Sequence, residues 1–296
     1  MIARRQLLAL ILAAAAACGR PAPSEPAAPT EARVISLVPA ATEMLFAIGA
    51  GADMVAVSSF DRYPPEVERL PRVGALIDPD FERILSLRPT LVVVYASQDE
   101  LIARLGAASV PVYQYVHAAE GALAHIPRTM RELGQLLGRE AAAEEAAGAI
   151  EGAIERIRQQ VAGRERVRTA VVFGREAGAL RGIWVAGGVG FLHEALEAAG
   201  GGNVFADIRR EGLQASTELM LARAPDVIIE IRTSGGVDAS PLEAWGRLAA
   251  IPATRTGRIY ELTDPLFSIP GPRIVEIVRT FARVLHGDEV VAAAGP

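Results

Sequence analysis

Between residues 139 and 163 apolar side chains recur three and four apart, at Ala147, Ile150, Ile154, Ile157 and Val161, with Glu144, Glu151, Glu155 and Arg158 in the gaps. Such spacing predicts an amphipathic helix with one buried face. Gly138 and Gly163 flank it and suit the positive-φ position that terminates helices. At 1.5 Å per residue the segment reaches roughly 35 Å, the height of a small domain. On either side the pattern changes to short apolar runs of strand length, alternating with helical stretches. Before the long helix, residues 34–37, 54–58, 91–95 and 110–115 read as strands and residues 44–48, 81–87 and 101–105 as helices. After it, residues 169–173, 184–186, 226–231 and 259–262 read as strands, and residues 191–199 and 273–285 as helices. Strands this continuously apolar belong to parallel sheets covered on both faces. The fold class predicted is therefore α/β, with two Rossmann-like lobes of parallel-rich sheet, residues 32–138 and 164–287, joined by one rigid helix at 139–163 and followed by a tail at 288–296. The competing reading is an ordinary crossover helix inside one large domain.

The two halves share a segment. Residues 82–94, opening on Glu82 and passing through Pro89, align without gaps with residues 218–230, opening on Glu218 and passing through Pro225. In each, a Glu begins a short helix, a Pro ends it and a β-rich run follows. A carboxylate in a first helical turn has a local explanation in the helix dipole. Its recurrence at one place in both halves points to a shared role. In open parallel sheets ligands bind beyond the carboxyl ends of the strands, which selects the turns at residues 38–40, 59–61 and 96–97 as the mouth of a site.

Composition narrows the field. The 296 residues are 51% hydrophobic and 22% charged, with a net charge of −5 and no lysine. No basic stripe is present, which excludes a nucleic-acid partner. Arg4, Arg5 and the apolar run at residues 7–17 form a signal peptide, residues 1–17, too short for a membrane span. The single cysteine, Cys18, follows Ala15-Ala16-Ala17 and precludes an internal disulfide. The segment resembles a bacterial lipoprotein signal, implying lipidation of Cys18, although Ala15 stands where leucine is preferred. Residues 18–31 carry Pro21, Pro23, Pro26 and Pro29 and read as a flexible tether holding the body off a membrane.

Several stretches together carry a family resemblance: Val34 through Val38-Pro39-Ala40 to Glu43, Tyr63-Pro64-Pro65-Glu66, Val73-Gly74, Glu82 with Pro89, Ala199 through Asn203 to Asp207, and Pro272-Arg273. Over residues 33–287 the chain resembles the periplasmic substrate-binding proteins for cobalamin, siderophores and haem, whose two lobes are bridged by a helical backbone. The resemblance implies a ligand in the cleft between lobes and docking of Glu82 and Glu218 onto arginines of an ABC permease with its ATPase subunit. It further implies a monomer on the periplasmic or cell-surface side of the membrane, with no cofactor and no enzymatic activity. Residues 59–65 resemble the first-lobe loop of cobalamin-binding members, which makes a corrinoid the expected ligand. Phe60, Tyr95 and Trp184 are its candidate walls, Trp184 fitting a core position equally well. Pro39, Ala40, Asp61, Tyr63, Phe191, Asp264 and Phe267 complete the candidate set, and Glu43 reads as a helix cap. One departure is that residues 209–213 replace the tryptophan-rich loop expected for cobalamin.

Haem is the leading alternative, with His193 as a candidate axial ligand, since Ala75 occupies the position where haem-binding members carry tyrosine. A ferric siderophore would use Arg62, Arg209 or Arg210. His117, His125, His193 and His286 lie in unrelated segments, so no metal cluster is expected. An exported enzyme is the competing class. Residues 34–42 lack the glycines of a dinucleotide fingerprint, and the Gly187-Gly188-Val189-Gly190 stretch lacks a P-loop lysine. No nucleophile elbow or zincin helix is present.

Overall fold

The computed structural model describes residues 32–232 and 241–289. The targeting segment, Cys18 and the tether lie outside the described residues. In the first lobe, β1 (Val34–Ser36), α1 (Pro39–Ala47), β2 (Met54–Val57), α2 (Phe81–Ser86), β3 (Leu91–Tyr95), α3 (Asp99–Ala107) and β4 (Val112–Tyr115) alternate along the chain. The four strands form one parallel sheet in the order β2-β1-β3-β4. Next, α4 (Ala122–Leu137) ends at Gly138 with φ 65°, and α5 (Glu140–Val161) continues to the positive-φ Gly163. At 22 residues α5 is roughly 33 Å long. All five apolar positions read from its sequence are buried.

The second lobe contains β5 (Val167–Gly174), β6 (Ile183–Ala186), α6 (Phe191–Ala198), β7 (Gly201–Asn203), β8 (Gly212–Ala215), α7 (Thr217–Arg223), β9 (Val227–Ile231), α8 (Pro241–Trp245), α9 (Pro252–Thr256), β10 (Ile259–Leu262) and α10 (Ile274–His286). Its sheet is separate from the first and runs β10-β9-β5-β6-β8, with β7 also on β5. Here the lobe departs from a simple repeat of its sibling, because β6 is antiparallel to β5 and β8 antiparallel to β6. Strand β5 is long enough to serve two partners along one edge, β7 over Val167–Thr169 and β6 from Val172 to Gly174. The short β5–β6 connection returns the chain directly, and a direct return is antiparallel.

Strand alternation distributes the core. In β3, Leu91 and Val93 enter one apolar cluster while Val92 and Val94 enter another; in β9, Val227, Ile229 and Ile231 separate in the same way from Ile228. Each lobe has its own outer cluster beneath its outer helices. The inner cluster is shared: it runs from Val34 and Met44 through Ile126, Ile150 and Ile157 to Ile277 and Leu285. Helices α1, α4, α5, α6 and α10 thus lie on one continuous core beneath both sheets. Among the described residues no helix is long and apolar enough to cross a membrane.

Candidate functional site

Because strands β1 to β4 are parallel, the turns that follow them share one edge of the first sheet. The turn after β2 is shaped by Asp61, only 1% exposed, whose carboxylate accepts from the Ser58 amide at 2.9 Å and from the Ser58 hydroxyl. Burial pushes the Asp61 carboxyl up from its ordinary value, with these hydrogen bonds opposing. Asp61 is therefore a structural brace of the turn rather than part of its wall. What the brace presents is Phe60, 67% exposed. The Ser59 amide donates to the Gly74 carbonyl at 2.7 Å, joining this turn to the loop that carries exposed Leu76 and Ile77. Tyr95, at the end of β3, is half-buried and meets Tyr115 edge-on at 6.0 Å.

The second sheet offers a matching rim. Phe173 near the end of β5, Phe191 at the start of α6 and Phe267 after β10 line one cavity of about 270 Å³, together with His117, Val189, Glu211 and their neighbours. His117 stands just beyond β4, so this cavity lies between the lobes at their carboxyl edges. Phe267 is nevertheless mostly core, stacked on Phe281 at 6.3 Å. Trp184 faces out from the β6–β8 ribbon beside Phe173, centroids 6.4 Å apart, and so is a surface ring rather than core. The glycines before α6 serve backbone packing: a Cβ on Gly188 would lie 2.0 Å from the Ala206 carbonyl oxygen and one on Gly187 2.1 Å from that of Arg210.

Among the described residues, polar ties cross between the lobes at five places. His117 Nε2 lies 2.6 Å from Glu211 Oε1, and Arg209 pairs with Glu120 beside it. The Gly190 amide donates to the Ala119 carbonyl at 2.6 Å. Glu194 of α6 accepts from the amides of Ala122 and Leu123 at 2.9 and 3.0 Å, capping α4, whose own N-cap residue is glycine. On the other side, Arg273 Nη2 and Nε donate to Glu43 Oε1 and Oε2 at 2.6 and 3.0 Å. Glu43 is thus a buried partner of a residue 230 positions away, and not the helix cap that its sequence position suggests. Burial pushes its carboxyl up while Arg273 draws it back. The guanidinium also sits over the Tyr63 ring, 4.0 Å from the centroid, which makes Tyr63 part of this junction.

The remaining sequence candidates fall at the margins. Pro39 and Ala40 open α1, the first half-buried and the second buried. Asp264 is exposed and accepts from the Leu266 amide at 2.9 Å, capping the helical turn Pro265–Ser268. His193 is held by Asn203 at 3.3 Å and Glu197 at 3.9 Å. His117, weighed only as one of four scattered histidines, and Phe173, Glu194 and Glu211 were not selected as cleft residues from the sequence. The first of these was within reach, since the rule that selected the turns after β1, β2 and β3 applies equally to the turn after β4.

The duplicated carboxylates occupy equivalent places. Glu82 and Glu218 are each the second residue of a short helix, following an N-cap, Asp80 or Ser216, that accepts from the amide three residues on. Each helix gives way to a positive-φ residue, Arg88 at 48° or Ala224 at 44°, directly before the aligned proline. Both carboxylates are exposed; Arg104 lies 3.8 Å from Glu82, and the Ser216 hydroxyl helps to hold Glu218 below the ordinary carboxylate value.

Comparison with known proteins bears on this arrangement. Residues 34–266 match the family model described as periplasmic binding protein. The vitamin B12-binding protein of Salmonella typhimurium is 31% identical over 255 residues, covering 86% of this chain and 90% of that one. Among solved structures, the periplasmic vitamin B12 binding protein BtuF of Vibrio cholerae superposes with a TM-score of 0.72 at 25% identity, covering 86% of this chain and 96% of the other. The periplasmic heme-binding protein RhuT of Roseiflexus gives a TM-score of 0.72 at 28% identity, covering 90% of this chain and 100% of its own.

Proposed function

The chain belongs to the periplasmic binding protein family, a family of transport ligand binders and not enzymes, and from that premise we propose that it captures a corrinoid in the inter-lobe cleft and delivers it to an ABC permease. The observation that carries this reading is an aromatic-walled cavity between the lobes, lined by Phe173, Phe191 and Phe267, with Phe60 and Trp184 as further exposed rings on the two lobes; such rings suit a broad, largely apolar ring system. Support for a corrinoid in particular comes from relatives named as vitamin B12-binding proteins that match 86% of the chain. Haem is the second reading, favoured by structural neighbours named as heme-binding. The absorption spectrum of the purified protein mixed with cobalamin, haem or a ferric siderophore separates these ligands, since each carries its own chromophore. Binding of haem or siderophore in preference to cobalamin overturns the corrinoid assignment.

Delivery rests on Glu82 and Glu218. Two exposed carboxylates at equivalent helix starts, one per lobe, fit two basic pockets on a permease with its ATPase. Replacing both by alanine abolishes transport and leaves ligand affinity nearly intact; an undiminished uptake rate refutes the docking role. Cys18, directly after the targeting segment, would hold the protein to the outer face of the membrane through a lipid, which mass spectrometry of the mature N-terminus tests directly.

A further inference from the structure

We propose that a second ligand site lies apart from the cleft, at the other end of α6, where three arginines line a cavity that takes the phosphate group of a small molecule or headgroup. The cavity holds about 370 Å³, more than the 270 Å³ between the lobes and within the roughly 300–1,000 Å³ usual for ligand pockets. Arg158 of α5, Arg164 and Arg166 line it, with Glu194, Glu197 and Gly200 on the side of α6. Phe191 opens α6 at the cleft, whereas Glu197 and Ala198 end it here, so one short helix has a different cavity at each end. The proposal therefore stands whatever the cleft carries.

Charge decides the ligand class. The chain carries a net charge of −5, yet three arginines meet at this cavity, and the two glutamates beside them are already engaged. Glu194 accepts the amides of Ala122 and Leu123 at 2.9 and 3.0 Å, one on each oxygen. Glu197 Oε1 takes Arg166 Nη1 at 3.1 Å, and its Oε2 lies 3.9 Å from His193. Arg158 reaches only Glu155, at 3.9 Å and with both side chains about half exposed, a pair that contributes little. Arg164 has no carboxylate partner among the described residues. The helix dipole explains Arg158, which stands in the last turn of α5, but Arg164 and Arg166 lie beyond Gly163, outside the helix. Guanidinium forks match the oxygens of carboxylates and phosphates, and three forks around one cavity offer more donors than a carboxylate can accept. A phosphate monoester, with three terminal oxygens, uses them better.

His286 stands at the wall as a reporter. Its Nε2 would lie 2.7 Å from a Cβ on Gly200, one of the lining residues. Burial holds its imidazole below the ordinary 6.5, the charges of Arg164 and Arg258 add to that depression, and hydrogen bonding to the Ala199 carbonyl opposes it. An anion seated on Arg164 offsets that charge and moves the imidazole back up.

The test uses the full-length protein with three probes: inorganic phosphate, glycerol phosphate, and a short-chain phosphatidylglycerol kept below its micelle concentration. Each is titrated by calorimetry while the ring resonances of His286 are followed by NMR. At least one probe should bind saturably and raise the His286 pKa, and that binding should weaken about tenfold or more in Arg158→Gln and in Arg164→Gln. Glu197→Gln, which removes the competitor for Arg166, should bind the same probe more tightly. Preference for phosphate or glycerol phosphate assigns the site to a soluble phosphate compound, and preference for the lipid assigns it to a headgroup; either sustains the proposal. It is overturned if none of the three binds saturably, if binding leaves His286 unmoved, or if affinity is undiminished in both arginine variants, which places the bound anion elsewhere on the surface.

Discussion

Two of the ion pairs that tie the lobes together sit in opposite surroundings. The Glu43 and Arg273 side chains are 3% and 16% exposed, at the edge of the shared core, with the guanidinium also covering Tyr63. The His117 and Glu211 side chains are 46% and 42% exposed at the mouth of the cleft. Chemically the two contacts are alike, each a base against a carboxylate at 2.6 Å. What separates them is water. A pair that water can reach is replaced on separation by two hydrated groups and contributes little to stability. A desolvated pair cannot be parted without leaving a bare charge in the interior. The wet contact is therefore the weaker of the two, and the buried pair the firmer.

The strongest way to break this comparison is to remove one buried partner. Arg273→Ala should lower unfolding free energy by about 3–5 kcal/mol, because it strands the Glu43 carboxyl; a urea titration showing under about 1 kcal/mol would remove the distinction between the two sides. Glu194→Ala is intermediate. It uncaps α4 while leaving the shared core in place, with an expected cost of about 1 kcal/mol in the same titration. The next test is one of pH. Burial, with Arg128 beside it, holds the His125 imidazole below its ordinary value of 6.5. The folded state thus favours the neutral ring, so its contribution is complete above 6.5 and is lost as pH falls below it. Melting temperature measured from about pH 7 to pH 5 should decline less steeply in His125→Gln than in the wild type. An identical slope in both would show that another group governs acid sensitivity. The smallest effect is at the mouth: His117→Ala should change stability by less than about 0.5 kcal/mol, and a larger loss would mean that the exposed tie also supports the fold.

The long helix was legible because its signal is local: apolar positions three and four apart, with a glycine stop on each side, need no knowledge of the partner. The strands were legible for the same reason, and Leu91–Tyr95 and Ile259–Leu262 begin and end where the sequence predicts. The exposed carboxylates at Glu82 and Glu218 could be paired because the chain writes the same short helix twice. Glu43 and Asp61 were misread for the opposite reason. Each is a carboxylate near an element boundary, which suggests a cap or a ligand contact, yet the Glu43 partner lies 230 residues away and Asp61 turns inward to its own loop. Phe173 was overlooked as a wall because an aromatic inside an apolar strand looks like core. Its exposure follows from the antiparallel ribbon that pairs with the end of β5, a feature of sheet closure that strand patterning does not record.

The unbroken apolar layer from Val34 to Leu285 has a consequence for how such a molecule can evolve. Phe60, Trp184 and His117 all lie outside it, on exposed turns and a sheet edge, so substitutions there leave the chassis folding, and with the proposed cleft they rework what it carries. Under the proposed docking role, one inherited body can then change passengers from lineage to lineage while the two acidic helix starts stay with the body.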